Sequence, residues 1–328
     1  MSPPKFAPDF APGFSPRSDV AVIIACDARY LPYAAVPALQ LAAQPARGFD
    51  VLIGSPQRVE LPQSLASAGI ASFGAVDPDL AGSLPGDARR SLATYMDVFA
   101  ARAMAGVYRR ILVLDADVVI DGGDPARLMS ADMRGRAIAA VRDNRQWRNP
   151  GKLAPEFRTM GWKAAPYFNA GVVMADPAAW VAQDLPARSA AFARDHLARL
   201  GRDQALLNGV LRGDWAEMSP LWNWQFTWAS SHLLGMADPF VVHFIGPLKP
   251  WLAEAAGTVP TRYRSLYDRL PGDIRPADLP AGLGRRHWPT PRALRRTLWR
   301  QWRAAGPMLA YLDRFADPCD LLDPSRAA

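Results

Sequence analysis

"ILVLDADVVID", residues 111–121, sets two aspartates, Asp115 and Asp117, into a run of seven aliphatic residues. A carboxylate in apolar surroundings is costly to keep ionised unless something compensates its charge. The short apolar run reads as a buried strand of a parallel sheet. Residues i and i+2 of a strand project to the same side. Both carboxylates therefore converge on one point near the strand's C-terminal end, where open α/β sheets bind ligands. Hard oxygen ligands there suit Mn²⁺ or Mg²⁺, ions that commonly bridge to phosphates.

The surrounding sequence supplies the sheet. "DVAVIIACD" (19–27), "FDVLIG" (49–54), "IASFGAV" (70–76), "RRILVLDADVVI" (109–120), "GRAIAAVRD" (135–143) and "YFNAGVVMAD" (167–176) read as strands. Helical stretches lie between several of them. "YLPYAAVPALQLAAQ" follows the first strand, and "DARRSLATYMDVFAARAM" carries Leu92, Met96, Phe99 and Ala103 on one face. A helix is expected from Pro177 to about Leu200, and a shorter one over "DQALLNGVL". Strands alternating with helices imply a mostly parallel central sheet covered on both faces, an α/β fold.

Composition narrows the function classes. The chain has 328 residues, half of them hydrophobic, which is ample for a full core. Cys26 and Cys319 offer no disulfide framework, so a reducing, cytoplasmic setting is expected. No apolar run is long enough to span a bilayer. The start, "MSPPKFAPDFAPGFSP", lacks the apolar region of a secretory signal and reads as a disordered lead-in over residues 1–18. Net charge is +7, yet residues 285–303, "RRHWPTPRALRRTLWRQWR", hold seven arginines, three tryptophans and no acid. The basic signal is thus local, and no nucleic-acid recognition motif accompanies it. Leu294, Leu298 and Trp302 fall four apart with Trp299 beside them, the pattern of a basic amphipathic helix suited to an anionic membrane surface. The other reading is a helix docked on the domain. The expected organisation is a sheet domain over 19–267 and a basic, Trp- and Arg-rich tail over 268–328.

Taken alone, the aspartate pair has other readings: a cap for the "DGGDP" turn behind it, or the nucleophile pattern of haloacid-dehalogenase-like phosphatases, which "LDADV" satisfies. Three further stretches weigh against both. "FNAGVVM" (168–174) puts Asn169, Ala170 and Gly171 at a strand end, and Gly permits close backbone approach to a ligand. "DQALLN" (203–208) opens a helix with Asp203 and Gln204. "HFIGPLKPW" (243–251) gives His243, Gly246, Lys249 and Trp251 after a strand. With "LDADVV", these four motifs in this order resemble glycosyltransferase family 8 over about residues 19–255. That group of retaining sugar transferases includes bacterial lipooligosaccharide galactosyltransferases and glycogenin.

The resemblance implies a nucleotide-binding α/β fold of the GT-A type, a UDP-sugar donor and Mn²⁺ (or Mg²⁺). It implies Asp115, Asp117 and His243 as metal ligands, with Ala116 between the acids also against the donor. Lys249 and the backbone near Gly246 would meet the diphosphate. Ala25, Cys26 and Asp27 would form the uridine pocket, with Tyr30 stacking on the base. Asp143, Asn169, Ala170, Gly171, Asp203 and Gln204 would contact the donor sugar, Gln204 nearest the anomeric centre. Acceptor loops are expected over 144–166 and 222–235. One departure stands out. Many relatives carry an arginine two residues after "TY"; here that residue is Asp97, so Arg29, Arg102 or Arg142 must supply the positive charge, or the donor differs. The implied function is transfer of a hexose, galactose or glucose, to a glycan or glycolipid acceptor in surface polysaccharide or lipopolysaccharide synthesis, at the inner face of the plasma membrane. A different reading is a nucleotide-sugar-binding or membrane-scaffolding protein of little activity.

Overall fold

Successive residues of each central strand feed two different cores. Val20, Val22 and Ile24 point into one buried cluster, and Ala21 and Ile23 into another. Leu112 and Leu114 join the first, Ile111 and Val113 the second. Strands buried on both faces have no polar side, which is why their sequences are continuous apolar runs. The computed structural model describes residues 6–45, 47–84, 91–200, 203–227 and 229–326; the side chain of Asp203 lies outside the described part.

Among the described residues the strands are β1 (Asp9–Phe10), β2 (Val20–Ala25), β3 (Asp50–Ser55), β4 (Ala71–Gly74), β5 (Arg110–Asp115), β6 (Val118–Ile120), β7 (Ile138–Arg142), β8 (Phe168–Ala175), β9 (Ala216–Glu217), β10 (Trp224–Gln225) and β11 (Val241–His243). The helices that bear on the site are α1 (Leu31–Ala42), α2 (Met96–Ala103), α3 (Asn144–Trp147), α4 (Leu185–Phe192), α5 (Asp203–Leu211) and α6 (Pro291–Leu312). The large sheet has the order β1-β4-β3-β2-β5-β8-β7-β9. β1 runs against β4, and β8 against β5 and β7; every other pairing in that sheet is parallel. The chain steps outward from β2 to β3 and β4, then returns to place β5 on the other side of β2. The C-terminal ends of β2 and β5 therefore form the switch point where such sheets bind ligands, and Ala25 pairs with Asp115 there.

Three sequence expectations need correcting. The stretch 109–120 is not one strand: β5 ends at Asp115, the chain turns at Ala116 and Asp117, and β6 joins a separate small sheet ordered β10-β11-β6. Strand alternation therefore does not align the two aspartates. The helix expected over 177–200 breaks at Asp184, which has φ +55°. Pro186 lacks an N–H and its ring would strike the carbonyl one turn back, so the chain must restart as α4. The lead-in is also ordered from Phe6 onward. β1 adds to the sheet edge with Asp9 opposite Gly74 and Phe10 opposite Phe73. Phe6, Phe10 and Phe14 pack against the second cluster and offset the ordering entropy of this segment.

The C-terminal residues fold back on the sheet. Ile274, Leu279, Leu283, Ala304, Met308, Tyr311 and Leu321 belong to the first core cluster. A buried ionic lock fastens them. Fully buried Glu217 on β9 accepts from Arg142 Nε at 2.6 Å and Nη2 at 3.0 Å, from Tyr311 Oη at 2.7 Å and from Arg314 Nη2 at 3.0 Å. Arg142 also donates to the Pro324 carbonyl at 2.7 Å. Removing one member of a buried charge network strands the others. Glu217→Ala is expected to lower the unfolding free energy by about 3–5 kcal/mol in urea titration. Asp19→Ala, which breaks the exposed Arg109–Asp19 pair, is expected to lower it by less than about 1 kcal/mol. Equal losses would contradict the lock.

Candidate active site

The Asp115–Asp117 turn and β11 meet through the small sheet. β11 pairs antiparallel with β6, His243 opposite Val118, and Phe244 N donates to the Asp117 carbonyl at 3.1 Å. This pairing places an imidazole 126 residues away in sequence beside the acidic turn. One ligand atom each of Asp115, Asp117 and His243 lies within 4.8 Å of the others. His243 Nε2 is 3.1 Å from Asp117 Oδ1 and 3.6 Å from Asp115 Oδ2. Asp115 is half exposed, while Asp117 and His243 are largely enclosed.

The far side of the imidazole ring fixes its orientation. His243 Nδ1 lies 3.1 Å from both Asn169 Oδ1 and Asn223 Oδ1. Asn169 Oδ1 also accepts from Asn223 Nδ2 at 2.8 Å and Gly171 N at 3.2 Å, which identifies it as the amide oxygen. Two facing acceptors keep a proton on Nδ1 and turn Nε2 toward the carboxylates. Asp117 Oδ1 is buried without a hydrogen-bond donor. What sits between Nε2 and Oδ1 must be positive, a proton or a metal. Two carboxylates and an imidazole with a tethered outer nitrogen form a donor set that fits a divalent cation. Burial disfavours charge on Asp117, but His243 and Lys249 more than reverse this and hold its carboxyl well below the usual carboxylate range. Lys249 donates to both Asp117 Oδ2 and, at 2.6 Å, the Phe244 carbonyl, so the ammonium is held at the edge of the acidic turn.

Gly171 explains why β8 carries "NAG". A Cβ there would lie 2.0 Å from His243 Cε1, 2.5 Å from Nδ1 and 2.9 Å from Asp115 Oδ2. The imidazole rests against the bare backbone, and no larger residue leaves room for it. Next to it, Gln204 Oε1 accepts from Asn169 Nδ2 at 3.1 Å and Ala170 N at 3.5 Å, and Gln204 Nε2 donates to Asp143 Oδ2 at 3.4 Å. Asn208 grips both backbone groups of Phe168 and so docks α5, which carries Gln204, on β8. Asp143, Gln204, Asn169 and His243 thus form one polar chain leading to the acidic turn.

At the ends of β2 and α1, Asp27 Oδ1 accepts from Arg29 N and Tyr30 N at 3.0 and 3.1 Å and so holds the turn into the helix. Tyr30 is exposed and edge-on to Tyr33, which stacks on Trp251 at 4.1 Å. The Cys26 thiol is buried in the core, and burial, aided by Asp27, pushes it up to about 12. Ala116 is nearly buried in the turn, and Gly246 begins the open loop toward Lys249. Asp203 opens α5.

Of the arginines expected to stand in for the family's base, Arg142 is committed to Glu217 and Arg102 to Asp77 and Asp79. Arg29, 3.9 Å from Asp27 and highly exposed, is free to turn toward the site. Asp97 is buried at the start of α2, accepting from Val98 N at 2.8 Å.

Sequence reading missed Asn223 and Gln225. The expected acceptor loop over 222–235 begins with "WNWQ", but that segment is buried, and β10 pairs with β11 behind His243. Gln225 joins Asn144 N and the Arg142 carbonyl at 2.9 Å each, fixing the chain around Asp143. The available signal was two amides alternating with large aromatics, a pattern that demands internal hydrogen-bond partners.

A twisted α/β sheet with paired acids and a histidine at its switch point is the architecture of GT-A glycosyltransferases. The chain belongs to glycosyl transferase family 8, whose profile matches residues 21–255, and this removes the phosphatase reading. The structure is similar to galactosyltransferase LgtC in complex with donor and acceptor sugar analogs, with TM-score 0.57, 22% identity, 75% of this chain and 94% of that one covered. It is also similar to the bifunctional glycosyltransferase WbbM, with TM-score 0.58, 17% identity, and coverage of 88% and 53%. General stress protein A of Bacillus subtilis (strain 168) is 28% identical over 159 residues, 44% of this chain. The matched part spans about half, 53%, of that relative's length. Among the described residues no helix is long and apolar enough to cross a membrane.

Gly171→Ala and Asn223→Leu are each expected to weaken divalent-cation binding at this donor set, probed with Mn²⁺, by about tenfold or more. The readout is the free-Mn²⁺ signal in electron paramagnetic resonance titrations. Gly246→Ala, where an added Cβ meets nothing within 4 Å, should bind as the unaltered protein does. Uniform affinities would contradict the role given to the Gly171–Asn223 cradle.

Proposed function

We propose that the protein is a retaining hexosyltransferase that moves galactose or glucose from a UDP-hexose to a glycan or glycolipid acceptor in surface polysaccharide or lipopolysaccharide synthesis. The observation that carries this reading is the convergence of Asp115, Asp117 and His243 on one point at the switch point of a family 8 fold. Bound there, Mn²⁺ would stabilise the negative charge that develops on the departing diphosphate. Lys249 adds a second positive charge beside Asp117. Ala25, the Cys26 backbone, Asp27 and Tyr30 line the approach for the nucleotide, and Arg29 supplies the cation that Asp97 does not. Asp143, Asn169, Ala170 and Gly171 frame the donor sugar, with the Gln204 amide held toward the anomeric carbon.

Gln204 is a neutral amide and a poor nucleophile. A front-face route fits the residues better. The acceptor oxygen bonds to the anomeric carbon on the side from which the diphosphate departs. The bond from that carbon to the diphosphate oxygen breaks, and the acceptor's proton passes to the diphosphate. Asp117→Ala is expected to reduce metal-dependent UDP release by about a hundredfold or more, and chelation should do the same reversibly. The assay pairs Mn²⁺ with a panel of UDP-sugars. Donor binding without UDP release for any sugar would favour a nucleotide-sugar-binding protein instead.

The membrane part of the reading rests on α6. Its buried residues are Thr297, Gln301, Ala304, Met308 and Tyr311, while Leu294, Leu298, Trp299, Trp302 and Leu309 are exposed. A docked helix normally buries its leucines and tryptophans; this one turns them outward among arginines, as an interfacial helix does. That supports a peripheral position at the inner face of the plasma membrane. Deleting the tail is no clean test, because its residues complete the core. Trp299→Ser with Trp302→Ser leaves the packed face intact. The pair is expected to abolish flotation of the full chain with phosphatidylglycerol vesicles; flotation equal to that of the unaltered chain would contradict the anchor.

A further inference from the structure

A cavity of about 370 Å³ lies between α3 and α6, apart from the acidic turn. Arg148, Arg300 and Arg303 line it together with Asn144, Thr227 and Trp299. Several of the chain's more enclosed arginines meet acids: Arg102 with Asp77, Arg110 with Asp176, Arg136 with Asp323. None of the three cavity arginines has an acidic partner among the described residues. Arg303 is held over the Trp299 ring, 4.8 Å from its centroid, a contact that steers a guanidinium without neutralising it. Like charges gathered in a concavity repel one another, and an anion relieves that repulsion.

The cavity's position gives the anion a purpose. Asn144 directly follows Asp143, which holds Gln204 in the polar chain to the metal centre. Gln225, joined to Asn144 N, sits on β10 beside the His243 strand. A molecule seated among the arginines therefore touches the chain one residue from Asp143. Guanidinium groups take phosphoryl oxygens in bidentate pairs, which fix geometry as well as charge. A separate cavity lies by Trp288 and Leu294, beside Gly246, and carries no arginine in its lining.

We propose that Arg148, Arg300 and Arg303 form a subsite for a phosphoryl group carried by the acceptor, so that the enzyme selects phosphorylated glycans. The proposal rests on the transferase reading, but its test does not use turnover. Inorganic phosphate is titrated into the full chain, free of divalent metal, and followed by phosphorus NMR. Arg148→Gln with Arg300→Gln should weaken binding by about tenfold or more. Arg292→Gln with Arg295→Gln removes the same charge from α6 outside the cavity, and should change binding by less than about twofold. The Arg148/Arg300 pair should still float with phosphatidylglycerol vesicles as the unaltered chain does. Equal weakening by both pairs would overturn the site. Loss of flotation in parallel with loss of phosphate binding would overturn the acceptor assignment and give these arginines to lipid headgroups. A failed UDP-release assay with intact, selective phosphate binding would sink the transferase reading, and the acceptor assignment with it, while the anion site itself stands.

Discussion

A buried carboxylate oxygen facing an imidazole nitrogen across 3.1 Å is the constraint around which this protein is arranged. Two such groups are compatible only through a positive charge between them, and each neighbouring element serves to hold them there. β6 and β11 pair so that His243 arrives beside the acidic turn. Asn169 and Asn223 secure the outer ring nitrogen. Gly171 gives the ring its space, and Lys249 ties down the second oxygen of Asp117. Burial raises the electrostatic stakes of each contact, which is why so many buried amides surround three ligands.

The position of this centre in the fold follows from the order of the strands. Strands buried on both faces separate two cores, and the change of direction between β2 and β5 opens a crevice at their C-terminal ends. The C-terminal segment completes one of those cores and is locked to the sheet through Glu217. As a consequence α6, with its outward tryptophans and arginines, is rigidly placed relative to the site.

Much of this was legible in the sequence because it depends on local patterns. Continuous apolar runs marked the strands, and Asp115, Asp117, Gly171, Gln204 and His243 stood in short motifs. The route by which the aspartates meet was not legible. Strand alternation gave the right neighbours for the wrong reason, since the chain turns at Ala116–Asp117 and the imidazole comes through a second sheet. Asn223 and Gln225 escaped because buried amides are recognised only once their partners are known. The lead-in escaped because three phenylalanines outweighed a proline-rich composition, and the break at Asp184 because apolar periodicity is blind to a proline's missing donor. The outward face of α6 was a matter of which side docks, which periodicity alone does not decide.

The function of the acidic turn depends on a cation bound by one imidazole. Electron spin-echo modulation of Mn²⁺ bound to the full chain measures that directly. The spectrum should show coupling to a single histidine nitrogen, and that coupling should vanish in His243→Gln. A manganese signal without nitrogen coupling in the unaltered protein would contradict it.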